Sequence, residues 1–292
     1  KKLNKEVVVF GRGEKSASKF KNLTNHEVQF EKPKTISKIY DSNSKIIVSV
    51  GIKELYPLVK ELIKNGFKDI LVEKPLSLEL KEILELSNLA NENNCLLRIA
   101  FNRRFYPSTI ALKEFLLKEE LLSFRFSFTE WFDTITESSH DQELIKKWGI
   151  CNSIHILDTV FSLAGLPKKL NYQHNLLLDK HPSGLIFTGS GKTINEVPFS
   201  YHSNWASQGR WEMEFFTHAG SYQLCPIEKL SFIPKNSLEK QNIELINEPN
   251  EMKVGIYNMV NAFINNSKVN FCFINDFKKE FLIYEKILGY RK

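Results

Sequence analysis

The chain has only four cysteines in 292 residues, Cys95, Cys151, Cys225 and Cys272, and no two of them form a CxxC pair. That scatter argues against a structural zinc site and for thiols kept reduced in a cytosolic protein. Runs of eighteen apolar residues are absent, so no transmembrane helix and no membrane partner are expected. Val7-Val8-Val9-Phe10 is too short for a signal-peptide core and leads straight into glycine. A concentrated basic face with interleaved aromatics is missing too. The net charge of +6 is spread along the chain, although the first forty residues are rich in lysine. Nucleic-acid binding is therefore not expected; the lysines read as solvated faces with some attraction for anionic ligands. Internal repeats and low-complexity segments do not occur. What remains, 42% hydrophobic and 25% charged, is an ordinary globular composition, long enough for two domains.

The stretch that organises this composition is Asp69–Ser77, DILVEKPLS. Three apolar residues stop at Glu73-Lys74-Pro75. Pro75 lacks an N–H and cannot continue a strand. A buried strand opening into a crevice is expected there, and ligands of open α/β sheets bind outside the carboxyl ends of strands. A lysine at that point can donate a proton or stabilise an oxyanion.

Upstream, Glu6–Phe10 reads as a buried strand running into Gly11-Arg12-Gly13-Glu14-Lys15-Ser16. This is G-x-G-x-x-S, one residue short of the dinucleotide fingerprint. Gly11 suits the tight turn, Gly13 the approach of backbone to a pyrophosphate, and Ser16 is small enough for the third position. A short helix, 17–23, would point its N-terminus at the phosphates. A second strand, 27–30, ends at Glu31, twenty residues after Gly11. Glu31 is either a ligand of a ribose hydroxyl, favouring NAD, or an ordinary loop charge; Lys32 and Lys34 beside it leave NADP open.

Residues 33–44 show little pattern. A strand at 45–50, a helix at 54–65, the strand ending in EKP, a helix at 76–94 capped by Ser77, and a strand at 95–101 complete an alternation that implies a parallel sheet. The alternation ends near Asn102, which divides the chain into residues 1–102 and 103–292. Beyond it come a helix at 108–119, an alternating strand at 122–131 and a helix at 150–163. Strand-like runs follow at 171–178, 185–190, 197–204, 210–217 and 221–225, then closing helices at 252–265 and 276–288. Such a run of strands suggests an antiparallel sheet covered by helices on one face. Gly189-Ser190-Gly191-Lys192-Thr193 lacks P-loop spacing and reads as a hairpin turn.

Taken together, these residues resemble the Gfo/Idh/MocA family, which includes glucose–fructose oxidoreductase and inositol dehydrogenase. The resemblance rests on G-x-G near the start, EKPLS at 73–77, FNRRFYP at 101–107, His155-x-x-Asp158 and the order Trp205, Arg210, Gly220. It implies a Rossmann-type parallel sheet followed by an α/β domain with a large, mostly antiparallel open sheet. It also implies an NAD or NADP cofactor, a sugar, sugar-nucleotide or polyol substrate, and a homodimer or homotetramer.

Carried over by the resemblance, Lys74 lies beside the nicotinamide and the reacting oxygen, with Glu73 and Pro75 flanking the cofactor, and His155 is the acid/base. Hydride chemistry on an alcohol asks for such a pair. Arg103 and Arg104 are candidates for an anionic substrate group, one of them more plausibly a structural ion pair. Asn152, Asp158, His202 and Trp205 are further substrate candidates; His140 and Trp148-Gly149 are expected near the cleft. The chain departs from the family pattern where an aspartate three or four residues before the histidine is replaced by Asn152 and Cys151. It departs again in Val50-Gly51-Ile52-Lys53 and in Ser16, and residues 31–44 look trimmed. These departures motivate a second expectation, a binding protein that keeps the fold and has lost turnover.

Overall fold

A computed structural model describes all residues except 1, 2, 4, 139, 140, 176–180, 247, 250, 251 and 292. His140 and the end of the strand expected at 171–178 lie outside the described residues. The elements that build the amino-terminal half are β1 (Val9–Phe10), α1 (Glu14–Thr24), β2 (Val28–Gln29), α2 (Pro33–Ile39), β3 (Lys45–Val48), α3 (Ile52–Lys64), β4 (Asp69–Val72), α4 (Leu80–Glu92) and β5 (Leu96–Ile99). β3, β4 and β5 pair in parallel, Lys45 opposite Asp69 and Asp69 opposite Leu96. Ile70, Leu71 and Val72 are buried because helices cover both faces of this sheet. α3 faces it with Leu55, Val59, Leu62 and Ile63, a helical repeat of apolar positions.

The remaining strand of this sheet comes from far down the chain. β14 (Cys272–Phe273) adds antiparallel to β5, and α10 (Ile274–Ile287) then packs against α4 and β5. The carboxyl-terminal segment thus closes the amino-terminal sheet.

β1 and β2 form a separate parallel pair of two residues each, Val9 opposite Val28. The strand expected at 6–10 is shorter than its apolar run, and Val7 and Val8 are exposed. The reason lies in α1, whose sequence EKSASKFKNLT carries no apolar stripe and buries no side chain. A β-branched run with nothing pressed on it gains little by extending. The patternless stretch 33–44 contains α2, started by Pro33 in the first turn and held by Pro33 and Ile36. α4 begins later than expected because Leu76 has φ +70°, outside the helical region. Ser77 accepts from the Glu79 N–H at 2.9 Å and donates to Glu82, bracing the turn before the helix instead of capping it.

After a 3-10 turn at Asn102–Phe105 come α5 (Pro107–Leu116), β6 (Leu121–Phe128), α6 (Phe132–Thr136), α7 (Gln142–Lys146), a π-helical turn at Gly149–Ser153 and α8 (Ile154–Ala164). Seven strands follow: β7 (Pro167–Asn175), β8 (Ile186–Thr193), β9 (Pro198–Asn204), β10 (Trp211–Thr217), β11 (Gly220–Leu224), β12 (Ser231–Pro234) and β13 (Gln241–Asn242). α9 (Ile256–Ile264) precedes β14. The sheet order is β13-β12-β11-β10-β6-β9-β8-β7, antiparallel throughout except for the parallel β6–β9 pair. One face is aromatic. Phe124 stacks on Phe199 and Phe215 at 5.2 and 5.8 Å between ring centres, and Phe161 of α8 meets Phe126 edge-on at 5.6 Å. α8 is thereby pinned against the sheet.

The glycine-rich segment 189–193 lies inside β8, not in a hairpin turn. Gly189 sits opposite Tyr201, and a Cβ there would lie 2.5 Å from the tyrosine ring. The tyrosine fills the space the glycine leaves, which is why the strand tolerates it. Gly189→Ala is expected to destabilise the protein by about 1–3 kcal/mol through overpacking, read by urea denaturation, whereas Ser190→Ala stays near neutral.

Candidate active site

Three strand ends and one helix start converge on a cleft. β4 ends in Glu73-Lys74-Pro75, β5 in the Asn102–Phe105 turn, β6 in Thr129-Glu130-Trp131, and the π-helical turn leads into α8. The Glu73 N–H donates to Val48 O at 2.9 Å, so the loop is tied to the end of β3. The Lys74–Pro75 bond is cis. Lys74 Nζ donates to the Cys151 carbonyl at 2.5 Å. Burial, and then the positive charge of Arg103, push the Lys74 ammonium down to about 8, against the opposing pull of Glu73, Cys151 and Glu130. A lysine that titrates near neutrality is suited to moving a proton.

Arg103 and Arg104 leave the 3-10 turn in different directions. Arg103 Nη1 contacts His155 Nε2 at 2.5 Å and donates to Asn102 Oδ1 at 2.9 Å. Its guanidinium lies 5.3 Å from the centre of the Trp211 ring. Arg104 turns inward and binds Asp158 with both prongs, Nε to Oδ2 at 2.9 Å and Nη2 to Oδ1 at 2.6 Å. Glu280 of α10 adds a second carboxylate at 3.3 Å. Asp158 is fully buried, so this pair is a structural anchor behind the cleft rather than its wall. The cluster of Asp158, Cys272 and Glu280 has the donor set of a cation site, and the Arg104 guanidinium already supplies its positive charge.

His155 is buried, 2% exposed. Burial first, then Lys74, Arg103 and Lys253, hold its imidazole well below the usual range. A neutral ring accepting at Nε2 from Arg103 satisfies that contact, and Nδ1 has no hydrogen-bond partner among the described residues. The structure thus brings Lys74, Arg103, Asn152 and His155 together. It does not bring in His202, which sits exposed on the polar face of β9. Trp205 is a packing residue, 2% exposed, with its indole N–H donating to Phe128 O at 3.0 Å.

The cleft itself encloses about 330 Å³, with Arg103, Glu130, Trp131, Arg210, Trp211 and Glu228 among its walls. Trp131 is 58% exposed, yet its indole N–H is fixed to Gly209 O at 2.9 Å, leaving a rigid aromatic plate at the rim. Trp205 floors a second hollow of about 270 Å³ that shares Trp131 and Thr134 with the first. Glu130, Trp131 and Trp211 were not singled out by sequence reasoning. Glu130 and Trp131 stand just past the end of β6 and Trp211 opens β10, and a strand terminus is the one signal that marks them in the sequence.

Gly11 and Gly13 lie in the loop between β1 and α1, and Ser16 in the first turn of α1. The Gly11 N–H donates to Gln29 O at 2.9 Å, and a Cβ on Gly11 would strike Val28 at 2.7 Å, so the turn requires glycine. Gly13 precedes α1 with open space around its Cβ position, and no side chain caps the helix. The first N–H groups of α1 are therefore free to meet a pyrophosphate, so this loop fits a dinucleotide. Glu31 is exposed directly after β2. Arg12 pairs with Glu54 at 2.5 Å, and Lys53 with Asp141 and Glu143 at 2.7 and 2.5 Å. The altered loop after β3 therefore links the G-x-G turn to α7.

Residues 1–101 match the family model described as an oxidoreductase family with an NAD-binding Rossmann fold, GFO_IDH_MocA. Over those residues the chain is similar to the NAD-binding domain of that family. Solved structures share the fold over nearly the whole chain. UDP-N-acetylglucosamine 3-dehydrogenase GnnA from Acidithiobacillus ferrooxidans is 15% identical with a TM-score of 0.74, covering 97% of this chain and 89% of that one. Levoglucosan dehydrogenase in complex with NADH is 15% identical with a TM-score of 0.76, covering 96% and 86%. An oxidoreductase from Agrobacterium radiobacter in complex with NAD+, L-tartaric acid and magnesium is 14% identical with a TM-score of 0.73, covering 96% and 86%. At these identities the likeness carries the fold alone. No curated protein sequence matches the chain. The architecture, a Rossmann-type parallel sheet followed by a large, mostly antiparallel sheet, is the one expected from the sequence. Among the described residues no helix is long and apolar enough to cross a membrane.

Proposed function

We propose that the protein is an NAD(P)-dependent oxidoreductase that transfers a hydride to or from a carbon of a sugar, sugar nucleotide or related polyol. The observation that carries this reading is Lys74, half-buried at the carboxyl end of a parallel strand in an NAD-binding domain, with its ammonium pushed down to about 8. The nicotinamide of a bound cofactor gives or takes the hydride. Gly11, Gly13 and Ser16 would hold the pyrophosphate, Glu31 the adenosine ribose, and Glu73 and Pro75 would border the nicotinamide.

In the oxidative direction the substrate C–H loses its hydride and the O–H loses its proton to the neutral amine of Lys74. In the reductive direction the Lys74 ammonium returns that proton to the forming hydroxyl. His155 as a proton carrier requires Arg103 to leave Nε2; with that contact made, His155 orients Arg103 over Trp211. Arg103 then serves to hold and polarise an oxygen of the substrate. Trp131 offers its exposed face to the apolar side of a sugar ring. The neighbours that act on sugars, UDP-N-acetylglucosamine 3-dehydrogenase and levoglucosan dehydrogenase, support this substrate class.

Titrating the protein into NADH and NADPH and following the nicotinamide fluorescence tests the reading. Saturable binding of one or both in the micromolar range is expected. Silence with both at millimolar concentration would remove the dehydrogenase and leave a binding protein.

A further inference from the structure

The turn before His155 lacks a carboxylate, yet the site does not. Glu130, just past the end of β6, is 8% exposed and lines the cleft. Asn152 Nδ2 donates to both of its oxygens at 3.1 Å, and Ser153 Oγ donates to Oε1 at 2.7 Å. Both partners, Asn152 and Ser153, lie in the Gly149–Ser153 turn. That same turn presents the Cys151 carbonyl to Lys74 Nζ.

A carboxylate with this many donors is not there by accident of packing. A buried acid is costly unless paired and hydrogen-bonded, and an apolar side chain would serve packing alone. Burial raises the Glu130 carboxyl above its ordinary range, and the donors to its two oxygens work against that by favouring the ionised form. Glu130 is also close enough to act on the charges of Lys74 and Arg103.

We infer that Glu130 is a positioning residue for Lys74, supplying from the end of β6 the carboxylate that Cys151 and Asn152 do not. It acts in two ways. Its hydrogen bonds fix the turn whose Cys151 carbonyl receives the lysine ammonium. Its negative charge opposes that of Arg103 and favours the protonated lysine. The other groups acting on the Lys74 charge are Glu73 on its own loop and Cys151 on the turn. This assignment deepens the proposed dehydrogenase reading, but its test does not depend on turnover.

The rate at which Lys74 reacts with an amine-directed acylating reagent, read by peptide mass spectrometry across pH 6 to 11, reports its titration in the full-length protein without cofactor. Glu130→Gln keeps the shape and removes the charge. The midpoint of Lys74 labelling is expected to fall by about half a unit to one unit, because an opposite charge is lost. Glu130→Asp keeps the charge and is expected to hold the midpoint near that of the parent. An unmoved midpoint in a folded Glu130→Gln protein overturns the assignment, and so does an equal fall in Glu130→Asp. Should Glu130→Gln not fold, Asn152→Ala and Ser153→Ala loosen the turn with the carboxylate in place. Labelling of Lys74 at pH 7 should then quicken threefold or more, and no change in either overturns the assignment. Failure of NADH and NADPH to bind would reject the dehydrogenase and leave this result standing.

Discussion

Lys74→Met lowers kcat by about a hundred- to ten-thousand-fold, the range of a lost general acid or base, while the affinity for NAD(H) changes little. The expectation follows from position. Lys74 stands just past the end of β4, bonded to the Cys151 carbonyl, whereas the residues that would hold the pyrophosphate are in the β1–α1 loop. Methionine fills much the same volume and removes the proton. The expected pH profile of the parent protein has a definite sign. With Lys74 at about 8, the neutral amine needed for oxidation accumulates as pH rises through that value, so the oxidative rate climbs there. The ammonium needed for reduction is lost over the same interval, so the reductive rate falls. Steady-state kinetics in both directions between pH 6 and 10 measure this, and loss of the limb near 8 in Lys74→Met checks the assignment. A Lys74→Met enzyme with full activity would refute it.

Asp158→Ala costs about 3–5 kcal/mol of stability, because it strips the bidentate partner from a buried guanidinium. Arg104 is 11% exposed, and the nearby Glu280 contact at 3.3 Å is too long and too partial to replace two short bonds. The pair joins the end of β5 to α8, and Glu280 ties both to α10. Breaking it should therefore loosen the junction that aims Arg103 and His155. Urea denaturation followed by tryptophan fluorescence reads the loss. A change below about 1 kcal/mol, the value of an exposed pair, would show that the junction is held by its apolar contacts instead.

The two predictions separate roles that the sequence alone leaves merged. Arg103 and Arg104 are adjacent, and so are equally available to a ligand on paper. A 3-10 turn rotates successive side chains apart, and only one of two neighbours can face the cleft. His155 and Asp158 share a helix, and i, i+3 spacing suggests a common face. In the fold His155 meets Arg103 and Asp158 meets Arg104, so the two residues of the helix serve two different layers.

The G-x-G turn and the strand end at EKP were legible because each is local. A glycine demanded by a tight turn and a proline that ends a strand act within a few residues of chain, and so leave a readable pattern. The strand alternation was legible for the same reason, since apolar period follows from which faces are covered. The weak β1–β2 pair was not, because an apolar strand reads as buried until one sees that α1 brings nothing to bury it.

What the sequence by itself determined is the architecture, the family resemblance and the position of Lys74. What only the tertiary structure decided is the company Lys74 keeps. Cys151 enters through its backbone carbonyl, which any residue could have supplied, so its side chain gives no hint of the contact. Glu130 lies twenty-two and twenty-three residues before the asparagine and serine that hold it and fifty-six after the lysine it acts on. Hydrogen bonds and Coulomb attraction depend on distance in space, and no pattern along the chain records which strand end will come to face which turn.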